Sequence, residues 1–356
     1  MSLNINISKT TNSNVSNVDF ENIKFGKYFS DHMFVADYED GKWVSADIMP
    51  CEPMSIHPGN MTFHYGQAIF EGMKATKNKD GEPMLFRPEM HSKRINASAK
   101  RMCMPEFPEQ LFLDALRALI NIDSAWIPPQ KGSALYIRPF MIAMDDHVGV
   151  RASNKYRFII VTLPVGPYYN RPVSLLAQEE FNRAAVGGVG EAKAAGNYAA
   201  SLYPTKLANE AGYDQVLWLD AKEYKYCQEV GTMNIFFVID GKVVTPATDG
   251  AILKGITRNT FLQILKSENI EVEERQISID EVVDAAKAGK LEECFGAGTA
   301  AVVAKVNRIG YKGVDYEVPD HYTIGSMLKE KIDGLRFGTV EDQWDWTEVV
   351  KEVVSV

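Results

Sequence analysis

Gly187-Gly-Val-Gly-Glu-Ala-Lys193-Ala-Ala-Gly-Asn-Tyr198 sets a single lysine among residues of little bulk. A phosphate-cradling P-loop needs Gly immediately before that lysine and Ser or Thr immediately after it. Ala192 and Ala194 stand in those places, so that reading fails. Two readings remain open from the stretch itself. Lys193 is either a carbonyl-reactive amine, desolvated by small neighbours and closely approached by a ligand, or an exposed lysine on a glycine loop.

Downstream, the pattern predicts a helix over 197–211, stopped by Gly212 as its cap. Gln215-Val-Leu-Trp-Leu219 reads as a strand, and 234–239 with 242–245 as a hairpin turning at Asp240-Gly241. A helix follows over 256–265, and Ser278-Ile-Asp-Glu281 has capping-box spacing at the start of another. Upstream, Pro164-Val-Gly-Pro-Tyr-Tyr-Asn-Arg-Pro172 packs three prolines and a glycine into nine residues, the composition of a linker. Before it lie two apolar strands, Ala134 to Arg138 ending at Pro139, and Arg157 to Leu163. Hairpins are predicted at Asp40-Gly41 and Asp80-Gly81. Helices are predicted from Pro88 to Met102 and around Leu111, Ala115, Leu116, Leu119 and Ile120. Strands and helices mix in both halves with hairpins between them, which points to an α+β protein of two domains. The divisions expected are a disordered leader over 1–17, a small domain over 18–163, a linker over 164–174 and a larger domain over 175–356.

A length of 356 residues suits two domains of ~100–200 residues each. The net charge of −9 argues against a general nucleic-acid binder, which carries a basic face toward phosphates. No window approaches ~18 consecutive apolar residues, so no membrane span is expected. The polar start, MSLNINISKTTNSNVSN, lacks the features of a signal peptide. Cys51, Cys103, Cys227 and Cys294 form no C-x-x-C pair, which argues against a disulfide scaffold or a zinc knuckle. Buried thiols in a cytoplasmic setting, and no metal site, are the expectation.

Other segments are suggestive one by one. Gly296-Ala-Gly298-Thr299-Ala300-Ala301 nominally fits the dinucleotide fingerprint but lacks its strand–turn–helix context. A tight turn that offers backbone N–H groups and a hydroxyl to an anion is the alternative. Gly255-Ile256-Thr257-Arg258 opens a helix, where free N–H groups and the dipole suit a phosphate. Strand alternation sets Tyr136 and Arg138 on one face, where they could receive a carboxylate. An ordinary pairing of that arginine with Asp or Glu is the alternative.

Taken in order, these stretches resemble the branched-chain aminotransferases of the fold-type IV pyridoxal-phosphate enzymes. The resemblance rests on FSDHM (29–33), YGQAIFEGMKA (65–75), LFRP (85–88), LYIRP (135–139), GGVGEAKAAGNY (187–198), QVLWL (215–219), EVGTMN (229–234), GITR (255–258) and GAGTA (296–300). It implies that Lys193 carries the cofactor and moves the substrate's α-proton. Tyr198 would lie beside the cofactor's phenolic oxygen, and Glu229 would keep its pyridine nitrogen protonated. Arg94, the backbone at Ile256 and Thr257, and Thr299 would hold the phosphate, with Thr232 among the cofactor contacts and 175–356 the cofactor-binding domain.

For the substrate, the resemblance implies α-carboxylate contacts from the amides of Thr299 and Ala300 and the hydroxyls of Tyr65 and Tyr136. It also implies an apolar pocket walled by Phe29, Tyr65 and Phe70, and a distal carboxylate received by Arg138. The loop Asp145 to Val150 resembles a segment that closes a neighbouring subunit's site, implying a homodimer. The expected reaction is exchange of an amino group between leucine, isoleucine or valine and 2-oxoglutarate. A D-amino-acid transaminase, an aminodeoxychorismate lyase and a non-catalytic cofactor-binding protein are the competing readings. Some family members carry C-x-x-C just after the GTA turn; Ala301 and Ala304 stand there in this chain.

Overall fold

A computed structural model describes residues 3–166 and 171–351. The chain forms two compact units, the first comprising Met1–Tyr168, Ala192–Ala195 and Asp333–Val356, the second Tyr169–Glu191 and Gly196–Ile332.

The first unit is built on a ten-stranded sheet. Its central pair, Ala134–Ala143 and Tyr156–Val165, runs antiparallel through ten registered residue pairs. The helices Pro88–Arg101 and Glu109–Ile122 cover it with an apolar stripe: Ile95, Ala99, Leu111, Phe112, Ala115, Leu116 and Leu119 join Phe34, Ile137 and Phe158 in one core. Phe107 stacks on Phe158 at 3.9 Å, and Trp43 meets Phe107 edge-on. Both expected hairpins form. At Asp40-Gly41 both turn residues take the positive φ of 51° and 79° that favours Asp-Gly between strands. At Gly81 the φ is 83°, between Met73–Lys77 and Pro83–Phe86.

The second unit holds a nine-stranded sheet. Six of its strands close into a ring, because Cys227–Val230 pairs with both Gln215–Leu219 and Met233–Ile239. The 240–241 hairpin forms as the dipeptide requires. The expected cap also forms: the Ser278 hydroxyl accepts the Glu281 N–H at the start of the helix Ile279–Lys287.

Several expectations need correction. The leader is not structureless. Asn6–Ile7 pairs in parallel with Asp47–Ile48, Ser13 and Asn14 bond to the Asp31 carboxylate, and Thr10 donates to His32. Backbone pairing and side-chain anchors order this segment, for which composition offered no apolar run. Strand Ala134–Ala143 does not stop at Pro139. The Pro139 carbonyl accepts the Glu71 N–H on the side where Ala68–Phe70 gives way to Met73–Lys77, so the missing N–H of proline faces that break.

The helix over 197–211 is divided into Ala195–Ala199 and Leu202–Glu210. Pro204 cannot continue the ladder, and the Ser201 hydroxyl donates to the Tyr198 carbonyl. Gly212 does follow the second piece, at φ 85°. Of the linker, residues 167–170 lie outside the described residues. Pro164 and Val165 end one strand and Val173 opens the next. The chain beyond 332 also returns to the first unit, where Thr347–Val349 pairs with Pro83–Phe86 at a sheet edge. Cys103 is exposed, although Cys227 and Cys294 are buried as expected.

Candidate active site

Within the first unit, Lys193 is held through its backbone. Its N–H donates to the Ser98 hydroxyl at 2.9 Å, and its carbonyl accepts the Phe70 N–H at 3.0 Å. Ala194 bridges to Ile69, so the lysine lies alongside the short strand Ala68–Phe70. Its ammonium stands 4.9 Å from the centre of the Phe70 ring. An anchored backbone and a half-buried side chain remove the flexible-loop reading of the glycine stretch.

Phe70 also carries the Arg138 guanidinium, 4.6 Å from its ring centre, and Arg138 Nη2 donates to the Tyr136 hydroxyl at 3.0 Å. Alternation along Ala134–Ala143 puts both side chains on one face, as the sequence predicts. Gly72 makes room for the phenol, since a Cβ there would overlap the Tyr136 oxygen. Arg138 has no carboxylate partner among the described residues, and its buried Nε has no hydrogen-bond acceptor. The ordinary reading, an arginine paired with Asp or Glu, therefore falls.

Arg94 lies on helix Pro88–Arg101 and meets Glu71 through two parallel bonds, Nε to Oε1 at 2.6 Å and Nη2 to Oε2 at 2.8 Å. His91 Nδ1 reaches the same Oε2 at 2.7 Å. Phe29, Tyr65 and Val150 are exposed.

In the second unit, Glu229 is 3% exposed. Its Oε2 lies 2.7 Å from Arg183 Nε, and its Oε1 accepts the Leu253 N–H at 2.9 Å and Asn234 Nδ2 at 3.3 Å. Asn234 reaches on to the Leu253 carbonyl and lies so close to Gly255 that a Cβ there would overlap its Oδ1. Gly255 is the N-cap of helix Ile256–Ser267, whose first turn has no side-chain cap and no acidic residue. Its opening N–H groups at Ile256 and Thr257 suit an anion.

Thr299 and Ala300 form the half-buried turn between Leu291–Gly298 and Val302–Tyr311. Gly296 and Gly298 lie in the first of these strands, where Cβ atoms would come within 2.9 Å of Met233. They serve close packing in a hairpin, which removes the dinucleotide reading. Val302, β-branched, takes φ 63° at the end of the turn, a strained conformation of the kind that gathers at ligand sites. Tyr198 is half-buried on the short helix Ala195–Ala199, and Thr232 is exposed in the hairpin after Val230.

Sequence reasoning gave no role to Glu71, His91, Ser98, Arg183 or Asn234. Glu71, between the strands Ala68–Phe70 and Met73–Lys77, and Asn234, inside Met233–Ile239, each stand in an apolar stretch, AIFEGM and MNIFF, where a lone polar residue was the available signal.

Residues 68–309 match the family model described as amino-transferase class IV. The chain belongs to the class IV aminotransferases. It is 49% identical over 337 residues to branched-chain-amino-acid transaminase 1 of Bacillus subtilis, covering 92% of this chain and 94% of that protein. It is 46% identical over 338 residues to branched-chain-amino-acid aminotransferase 2 of the same organism, with 93% of each covered. Among solved structures, the branched-chain amino acid aminotransferase of Escherichia coli superposes with a TM-score of 0.73 at 26% identity, over 90% of this chain and 99% of that one.

Enzymes of this class work with pyridoxal phosphate, and the residues present in this aminotransferase fit it. A phosphate dianion needs N–H donors, and in the second unit the uncapped helix start at Gly255 could offer them. A protonated ring nitrogen needs a carboxylate that stays charged when buried, and Arg183 supplies Glu229 with the countercharge. An aldehyde needs a fixed primary amine, and Lys193, anchored through its backbone, could supply one.

Proposed function

We propose that this aminotransferase moves the amino group of leucine, isoleucine or valine to 2-oxoglutarate, returning the branched 2-oxo acid and glutamate in two successive half-reactions. The observation that carries this reading is the setting of Arg138. Its charge is met by a phenol oxygen and an aromatic face, with no resident carboxylate among the described residues. A guanidinium so held can receive the distal carboxylate of glutamate, while the Phe70 ring beside it accepts an aliphatic side chain. The names of its curated relatives support the substrate class.

Pyridoxal phosphate supplies the carbonyl that takes up the amino group and the ring that withdraws electrons from the α-carbon. In our reading Lys193 Nζ would hold the cofactor and, once displaced by the substrate's amino group, would be free to carry the α-proton. Glu229, kept charged by Arg183, holds the proton on the ring nitrogen. Tyr198 donates to the phenolic oxygen, and Thr232 lies among the cofactor contacts. Arg94, the N–H groups of Ile256 and Thr257, and Thr299 hold the phosphate. The amides of Thr299 and Ala300 and the hydroxyls of Tyr65 and Tyr136 take the α-carboxylate, with Phe29, Tyr65 and Phe70 as apolar walls.

The enzyme acts as a homodimer in the cytoplasm. Val148 and Val150 are 69% and 88% exposed on the loop after Asp145, and such apolar side chains suit burial against a second copy. Among the described residues no helix is long and apolar enough to cross a membrane.

A panel of L- and D-amino donors with 2-oxoglutarate tests the assignment. Turnover is expected with L-leucine, L-isoleucine and L-valine. Borohydride reduction of the same preparation should fix the cofactor to the peptide carrying Lys193. A preference for D-donors, or labelling at Lys206, would overturn it.

A further inference from the structure

Glu71 is fully buried, and yet its carboxylate is tied to four donors. Its Oε1 accepts from Arg94 Nε, and its Oε2 accepts from Arg94 Nη2, His91 Nδ1 and, at 3.3 Å, the Gly72 N–H. Its own N–H is fixed on the Pro139 carbonyl at 2.7 Å. Burial presses the carboxyl pKa upward, but the Arg94 charge and the bonds from Arg94 and His91 outweigh it and hold the group well below the usual carboxylate range. Burial pushes the His91 imidazole pKa down against the pull of Glu71, and opposite an acceptor-only carboxylate its Nδ1 is the donor. An isolated buried carboxylate is costly, and this one lies one residue from Phe70, which bonds the Lys193 backbone.

His91, Arg94 and Ser98 follow one another along one face of helix Pro88–Arg101 at spacings of three and four. Ser98 accepts the Lys193 N–H. The strand end Ile69–Gly72 and this helix therefore share two ties, one through Glu71 to Arg94 and His91, the other through Lys193 to Ser98.

We infer that Glu71 is a positioning residue for the cofactor's phosphate: by clamping the Nε–Nη2 edge of Arg94, it fixes the attitude in which the guanidinium meets the phosphate. The inference rests on the assignment of Arg94 to that phosphate. Without the clamp, Arg94 keeps its charge, but the plane of its guanidinium is set less tightly and part of the ordering cost falls on phosphate binding. The fixed geometry of a bidentate pair removes that cost.

The test compares two ligands that differ only in the phosphate. The full-length chain, freed of cofactor, is titrated with pyridoxal phosphate and with pyridoxal, and binding is followed by absorbance. Glu71→Gln removes the charge at constant shape. It is expected to weaken pyridoxal phosphate roughly ten- to a hundredfold, the range for one lost charge-assisted bond, while leaving pyridoxal unchanged. Glu71→Asp, which keeps the charge on a shorter arm, should fall between this variant and the wild type, and it decides the matter if Glu71→Gln does not fold. Equal weakening of both ligands would reduce Glu71 to a structural brace, and unchanged binding of both would remove it altogether. Arg94→Ala serves as the control. If that variant still prefers pyridoxal phosphate over pyridoxal as the wild type does, the phosphate assignment itself fails, and the inference fails with it.

Discussion

A positive charge beside an apolar pocket penalises an aliphatic substrate unless something holds it aside. Arg138 is held by the Phe70 face and the Tyr136 hydroxyl, so leucine need not desolvate it, whereas glutamate gains a partner. Arg138→Met should therefore slow the half-reaction with 2-oxoglutarate by roughly ten- to a hundredfold and leave that with leucine nearly unchanged. Single-turnover rates of each half-reaction would decide it, and an equal fall in both would move Arg138 to the α-carboxylate or to strand support. The groups expected to touch cofactor or substrate came from the resemblance of whole motifs, whereas the shared face of Tyr136 and Arg138 followed from strand alternation and is present. Glu71, Arg183 and Asn234 were not legible, because they act through another side chain, and only folding brings Arg183 to Glu229 across 46 positions.

At the scale of elements, local chemistry carried furthest where one or two residues determine the backbone. Asp-Gly at 40–41 and 240–241, Pro88 at a helix start and Ser278 three residues before Glu281 all form as their physics requires. Ser278→Ala should destabilise the second unit by about 1 kcal/mol, the usual worth of such a cap. Urea unfolding measures this, Ser278→Asp should restore it, and an unchanged midpoint would show that the helix is held by Ile279, Val282 and Val283 alone. Elements were misread where a distant partner decides. Pro139 sits inside a strand because its neighbour changes at that point, and the leader is ordered by Asp31 and His32. Neither partner is visible in a local window.

For the molecule as a whole, carboxylates with lowered pKa lie in both units. In the first unit Asp145 is burdened by burial but more than compensated by the Asn154 N–H and Arg151. In the second unit Asp214 is lowered chiefly by Arg171, and burial of Asp220 is outweighed by the backbone N–H groups of Tyr226, Glu223, Lys225 and Lys222. A carboxylate whose pKa falls on folding lends stability above its unfolded pKa of ~4, and that stability is lost as pH drops through the lowered value. Thermal midpoints should therefore hold near neutrality and decline steadily below about pH 4, and a flat profile down to pH 3 would contradict these assignments. The discontinuity of the first unit adds a consequence for biosynthesis. Its edge strand Thr347–Val349 and its lysine segment 192–195 are translated long after residue 168, whereas the second unit is complete at Ile332. Domains commonly fold in order of emergence from the ribosome, but here the one translated first must wait. Nascent chains cut at 332 should protect the second unit from protease while leaving the first one short of an edge.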